Sequence, residues 1–247
     1  PLRHGESFKD AMDAMVRLAK RVEDLGYTRY WIAEHHNMRS IASSATQLLI
    51  QHTLANTKKI RVGSGGVMLP NHSPYLIAEQ YGTLETLYPN RVDLGLGRAP
   101  GTDVPTAMAL RRTKDLKTDF ERDLAELSGY FKGSNYVQAY PAHGLYLPFY
   151  ILGSSTDSAY LAAKLGLPYS FAAHFAPAMM ENAIVIYNRY FQPSAILDKP
   201  YVILGVNAIL ADTDEEAKRL STTMIQSFLN IVTSNQKGLM PPLQSEE

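Results

Sequence analysis

The stretch that decides the fold is Trp31-Ile32-Ala33-Glu34-His35-His36-Asn37-Met38. It begins within a short apolar run, residues 30–33, and then changes abruptly to one acid and two imidazoles. In an α/β protein, ligands bind at the carboxyl ends of buried strands, so polar side chains at such an end indicate a site. The stretch therefore predicts a buried strand with functional side chains at its C-terminal end.

Two later apolar runs repeat this pattern. Gly63-Ser64-Gly65-Gly66 leads into Val67-Met68-Leu69-Pro70, and Asp93-Leu94-Gly95-Leu96-Gly97-Arg98 leads into Ala99-Pro100-Gly101-Thr102-Asp103. Three consecutive strands with polar or glycine-rich C-terminal ends are typical of barrel enzymes.

The rest of the chain alternates between strand and helix patterns. Runs typical of strands buried on both faces occupy residues 30–33, 60–68, 91–97, 148–152, 169–173 and 202–210. Helices are predicted from Ser7, which can cap the first one, to Gly26, and at residues 43–55, 74–87, 119–131, 156–165, 177–191 and 214–232. This alternation predicts a parallel sheet with helical crossovers. Residues 99–118 and 133–146 are expected to be long loops.

Six predicted strands are fewer than the eight that close a barrel. The sequence begins with a helix and stops in a loop-like tail, residues 239–244. We therefore expect one α/β domain over residues 1–247, a (β/α)8 TIM barrel that lacks strand 1 and strand 8. The natural protein is expected to be longer at both ends.

Composition excludes several classes of function. The 247 residues contain no cysteine, which excludes disulfides, thiolate metal sites and iron–sulfur clusters. The charges balance at 24 basic and 24 acidic residues, and no basic patch indicates nucleic acid or a membrane surface as a partner. No apolar run reaches the length of a membrane span, about 18 residues or more. A cytoplasmic location is the simplest expectation.

Four motifs in this order resemble the bacterial luciferase-like flavin-dependent monooxygenase family. They are residues 33–36, residues 63–70, residues 95–103 and Leu152-Gly153-Ser154-Ser155. The resemblance implies a (β/α)8 barrel that uses reduced flavin mononucleotide (FMN) and dioxygen to oxidise a small organic substrate through a flavin hydroperoxide. It also implies a flavin reductase as a partner that supplies reduced FMN, and a homodimer.

The resemblance assigns the catalytic role to His35, which would handle a proton beside the flavin. Histidine suits that task because it titrates near neutrality, although a capping or core histidine satisfied by backbone groups gives the same pattern. Gly65 and Gly66 correspond to a non-proline cis peptide against the flavin ring in the family. From the residues alone, a β-bulge at a barrel corner explains them equally well.

The flavin phosphate has two predicted contacts. By resemblance Arg98 binds the phosphate, but a surface salt bridge to Asp103 or Asp119 is the alternative. The start of the helix after the fourth predicted strand offers free N–H groups and hydroxyl groups to an anion. Its serines are Ser154, Ser155 and Ser158, and an ordinary N-cap is the alternative there.

Other residues at the predicted barrel mouth are weaker candidates. Asn37, His72 and His174 could line a substrate pocket, and each could equally be structural. A metal-dependent hydrolase using Glu34, His35, His36, Asp103 and His174 is the contrasting hypothesis. No H-x-H or H-x-x-x-H spacing supports it, so no metal site is predicted. A deazaflavin-dependent oxidoreductase and a non-catalytic flavin-binding protein remain open alternatives.

Overall fold

A computed structural model of the chain describes residues 1–111, 119–233 and 238–244. Its centre is a parallel sheet of six strands that pair in chain order. The strands are β1 (Arg29–Ile32), β2 (Arg61–Met68), β3 (Val92–Gly97), β4 (Phe149–Gly153), β5 (Tyr169–Phe171) and β6 (Val202–Leu204). All six predicted strands are present, although β5 and β6 end earlier than their apolar runs suggested.

At least one helix follows every strand. The helices are α1 (Phe8–Asp24), α2 (Thr46–Asn56), α3 (Pro74–Leu87), α4 (Val104–Arg111), α5 (Phe120–Lys132), α6 (Thr156–Leu165), α7 (Met180–Tyr190) and α8 (Asp214–Val232). The predicted N-terminus of α1 is confirmed, because Ser7 and Asp10 form a reciprocal capping box. In the part of the chain that the structure describes, no helix is long and apolar enough to cross a membrane.

The expectation of one long loop over residues 99–118 was wrong. Helix α4 lies in its middle, and the Asp103 carboxylate accepts a hydrogen bond from the Thr106 amide at 2.8 Å in the manner of an N-cap. Pro105 concealed the helix in the sequence, yet proline is tolerated in a first turn. Residues 112–118 lie outside the described residues. Residues 133–146 contain only turns and irregular backbone, as expected.

The sheet is strongly curved. Arg29 on β1 donates to the Tyr150 hydroxyl on β4 at 3.0 Å, and the rings of Trp31 and Tyr150 lie 5.0 Å apart. In the sheet order, β1 and β4 are separated by three strand spacings, and this separation would be about 14 Å in a flat sheet. The six strands therefore form a parallel half-barrel with a concave inner face.

The convex face of the half-barrel carries the apolar core. Val62, Leu94 and Ile151 lie on neighbouring strands and are almost wholly buried. They belong to one apolar cluster that includes Ile77 and Tyr81 of α3. The core therefore lies between the sheet and its helices, and the concave face is free for polar groups.

A buried ion cluster occupies the concave face. The Asp93 carboxylate, 0% exposed, accepts from Arg29 Nε at 3.0 Å, Arg61 Nε at 2.7 Å and Trp31 Nε1 at 3.0 Å. A Cβ atom on Gly63 would lie 2.2 Å from the Asp93 carbonyl oxygen, so glycine is required beside it. The cluster joins β1, β2 and β3 at the floor of the half-barrel.

We predict that Asp93→Ala lowers the free energy of unfolding by about 3–5 kcal/mol, because two largely buried guanidinium groups lose their carboxylate. Urea denaturation of both proteins measures this difference. The matched control is Glu121→Ala, which breaks an exposed ion pair with Lys164 and should cost about 1 kcal/mol or less. Equal losses in the two variants would contradict the structural role of Asp93.

Candidate active site

Three loops meet at the C-terminal edge of the half-barrel. Residues 33–38 follow β1, residues 69–73 follow β2 and residues 98–103 follow β3. Parallel strands all end at the same edge, so the three motifs singled out in the sequence come together there. The fourth motif spans the C-terminal end of β4, the next strand along the sheet.

Hydrogen bonds join these loops to one another. They link Thr102 Oγ1 to the His36 carbonyl at 3.3 Å, Asn37 Nδ2 to Asp103 Oδ2 at 2.8 Å, and Asn71 Nδ2 to the Pro100 carbonyl at 2.7 Å. The loop after β3 thus forms a cover that is attached to both of the other loops.

His35 is half-buried beneath this cover. Burial lowers the pKa of its imidazole below the ordinary histidine range, and the bond to Gly101 and the nearby Glu34 only partly oppose that effect. Its amide donates to the Ser43 carbonyl at 3.1 Å. The structure therefore places His35 at the expected strand end, and its catalytic role stays a prediction.

Glu34 is the centre of a cluster that sequence reasoning did not assemble. Its carboxylate is buried, and Oε1 lies 2.9 Å from His36 Nε2 and 2.7 Å from His72 Nε2. Burial alone would raise the pKa of Glu34, but hydrogen bonds and charge interactions with His72 and His36 outweigh it and lower that pKa. His72, expected only as a pocket-lining residue, therefore has a defined partner.

The Gly65–Gly66 peptide bond is cis, as the resemblance implied. The register of β2 against β3 also shifts between Ser64 and Val67, so the alternative of a β-bulge is present at the same place. A Cβ on Gly66 would lie 2.7 Å from the Gly95 carbonyl oxygen. The neighbouring backbone therefore leaves no room for a side chain at Gly66. Contact of Gly65 and Gly66 with a cofactor stays a prediction.

Arg98 follows β3 and has a side chain that is 53% exposed. Its Nη2 lies 3.2 Å from Oδ2 of Asp157, in the first turn of α6. The surface salt bridge considered from the sequence therefore exists, with Asp157 as its partner in place of Asp103 or Asp119. This contact brings the guanidinium to the N-terminus of α6, where the anion site was predicted.

The serines at the start of α6 divide into two groups. Ser155 is the N-cap residue, but its side chain makes no capping hydrogen bond, and Ser154 beside it is partly exposed. Ser158 is buried, and its hydroxyl donates to the Ser155 carbonyl at 2.8 Å and lies 3.1 Å from the Tyr169 hydroxyl. An anion would thus find the first-turn amides and the first two serines accessible, whereas the Ser158 hydroxyl is turned inward.

An open groove extends from Arg98 between α5, α6 and α7. Its volume is about 1130 Å³. Acidic, basic and aromatic side chains line it together, among them Asp157, Lys164, Tyr160 and Tyr190. The groove is large enough for a phosphorylated organic molecule.

His174 follows β5 and is exposed. Its carbonyl accepts from Asn207 at 2.7 Å, and its ring lies against Phe175 with the centroids 4.6 Å apart. Among the described residues no hydrogen bond joins His174 to His35 or Glu34. Its role at a substrate pocket stays a prediction, as does that of Asn37, which is held by Asp103.

Comparison with known proteins assigns the family. A family model described as luciferase-like monooxygenase matches residues 2–243. This chain belongs to that family. A luciferase-like monooxygenase of Escherichia coli strain K12 is 50% identical over 249 residues, which cover 99% of this chain and 74% of that protein. The crystal structure of apo-MsnO8 is 35% identical, has a TM-score of 0.92, and covers 98% of this chain and 72% of its own.

More distant solved structures share the fold and differ in cofactor. The oxygenating constituent of 3,6-diketocamphane monooxygenase of Pseudomonas putida, solved in complex with FMN, is 20% identical with a TM-score of 0.72 and covers 94% of this chain and 72% of its own. An F420-dependent secondary alcohol dehydrogenase is 17% identical with a TM-score of 0.57 and covers 76% of this chain and 62% of its own. This fold therefore occurs in one structure solved with FMN and in another solved with an F420 adduct.

Proposed function

We propose that this protein is a flavin-dependent monooxygenase that binds reduced FMN at the C-terminal edge of the half-barrel and oxidises a small organic substrate with dioxygen. A separate flavin reductase would supply the reduced FMN. The observation that carries the proposal is the position of the Arg98 guanidinium beside the uncapped N-terminus of α6. Family membership supports the reaction class.

The donor groups at this position fit a phosphate. The first-turn amides of α6 have no side-chain cap, and the helix dipole favours an anion there. Among the described residues, the Arg98 guanidinium has one ion-pair partner, the exposed carboxylate of Asp157, and its planar fork of N–H groups suits a phosphate. A phosphate would compete with Asp157 for this arginine. Arg98, Ser154 and Ser155 are therefore the residues that would hold it.

The remaining residues would surround the ring and the reaction. Gly65 and Gly66 would border the flavin ring, and Asn37, His72 and His174 would border the substrate. When bound, reduced FMN supplies the electrons with which dioxygen is activated. His35 lies at the end of β1 and is half-buried with a lowered pKa, so its imidazole would hold or deliver a proton beside the flavin. The cover formed by residues 98–103 would exclude water.

A deazaflavin-dependent oxidoreductase is the second candidate. The groove beside Arg98 continues past the phosphate position to Lys164 and Arg122, which leaves room for a longer anionic tail. A parallel titration with FMN and a deazaflavin separates the two candidates. Binding of either cofactor without oxidation of any substrate would favour a non-catalytic flavin-binding protein.

We predict that Arg98→Ala weakens binding of reduced FMN by about 2–4 kcal/mol, because a phosphate loses its charged partner. Riboflavin lacks the phosphate, so its affinity should not change. Anaerobic fluorescence titration measures both. The matched control is Arg122→Ala, which removes another arginine of the same groove and should leave FMN affinity nearly unchanged. Unaltered FMN affinity in Arg98→Ala would exclude the phosphate site.

We predict that His35→Ala retains FMN affinity but alters the reaction of the bound reduced flavin with dioxygen. In stopped-flow mixing, the transient absorbance that precedes oxidised flavin should decay about tenfold faster or more, because the proton-holding group is gone. His174→Ala is the histidine control and should behave like the parent in this step. The role of His35 is wrong if the transients of parent and His35→Ala coincide.

We infer that the six strands form part of a closed (β/α)8 barrel. In the described sheet, β1 and β6 each have one edge without a partner strand, and two more strands between them would close the barrel. The family relatives are longer than the match, since the aligned region covers 74% of the Escherichia coli protein and 72% of the MsnO8 chain.

Intact-mass spectrometry of the protein from its natural source tests barrel closure. The inference predicts a mass above 27.5 kDa, the mass of the present sequence, because the closing strands add residues. A mass of 27.5 kDa together with a monomer in solution would contradict it.

A further inference from the structure

We propose that Glu34, His36 and His72 form a binding site for a divalent transition-metal ion at the ends of β1 and β2. Two imidazoles and one carboxylate are a ligand set that suits zinc and iron in the +2 state. Nothing in the proposed flavin chemistry requires this ion, but His72 is also proposed to border the substrate, so the ion would lie beside the substrate pocket.

The geometry of the three side chains supports the site. Both imidazoles direct Nε2 toward the same carboxylate oxygen, Oε1 of Glu34, at 2.9 Å from His36 and 2.7 Å from His72. All of the potential ligand atoms lie within 4.8 Å of one another. Metal–ligand bonds of about 2.0–2.2 Å at tetrahedral angles place ligand atoms roughly 3.3–3.6 Å apart, so an ion requires each imidazole to move away from Oε1 by about 0.5–0.8 Å.

The charge of the cluster also supports a metal site. The Glu34 side chain is 1% exposed. Among the described residues, its carboxylate contacts the two imidazoles, and its Oε2 accepts from the Met68 amide at 3.4 Å. No hydrogen bond or ion pair joins it to a lysine or arginine in the described part of the chain. A buried carboxylate is costly unless it is hydrogen-bonded and positive charge lies beside it. A divalent ion between the three ligands would supply such charge.

The cluster is accessible from one side. The His36 and His72 side chains are 13% and 21% exposed, whereas the carboxylate behind them is not. An ion could therefore enter between the imidazoles and retain water at its open positions, as ions with three protein ligands do. The Met68 amide on Oε2 would orient the carboxylate from behind.

The experiment is a titration of the purified, chelator-treated full chain with Co²⁺, without flavin, followed by visible absorption and calorimetry. The proposal predicts one Co²⁺ per chain and displacement by Zn²⁺. His72→Ala and His36→Ala should each weaken Co²⁺ binding about tenfold or more, because each removes a ligand. Co²⁺ should also raise the melting temperature of the parent, since it binds only the folded state.

His52→Ala is the matched control, because His52 is exposed on α2 and is remote from the cluster in sequence. Its Co²⁺ affinity should equal that of the parent. Circular dichroism without metal establishes that each variant is folded, and Glu34→Gln provides a third variant should a histidine variant unfold. Absence of stoichiometric Co²⁺ and Zn²⁺ binding, or equal binding by parent and ligand variants, would overturn the site and leave a hydrogen-bonded carboxylate–imidazole cluster. Because flavin is absent, neither outcome depends on the proposed monooxygenase function.

Discussion

The curvature of the sheet is the constraint on which the rest of the structure depends, and the Asp93 cluster is its main polar support. Asp93 on β3 binds Arg29 and Trp31 of β1 and Arg61 of β2, while Arg29 reaches Tyr150 of β4. Four strands are thereby held around one concave face. Because their ends converge, loops that are distant in sequence meet, and the chemistry of the site becomes possible.

Most of the fold could be predicted from local patterns. The capping signal at Ser7 predicts the start of α1, and the predicted helix over residues 74–87 coincides with α3. The prediction of one long loop after β3 failed because α4 is short and contains Pro105. Its start also depends on a cap by Asp103. A short helix stabilised by one side-chain cap leaves little periodic signal.

The position of the site could be predicted from the sequence, but the contacts between its loops could not. Strand-end motifs located His35 and Arg98, since each motif is contiguous in sequence. The partners of these motifs come from other strands, and spacing does not reveal them. Glu34 meets His72 only because β1 and β2 are adjacent, and Arg98 meets Asp157 because β3 and β4 are. Contacts between loops follow from sheet order, which a single sequence gives only indirectly.

A crystal structure of the full-length protein with FMN tests the central claim most directly. The phosphate should lie within hydrogen-bonding distance of the Arg98 guanidinium and of the first-turn amides of α6, with the flavin ring at Gly65–Gly66 on the same edge of the sheet. Density for FMN at any other place, or none under saturating FMN while Arg98 remains paired with Asp157, would contradict it.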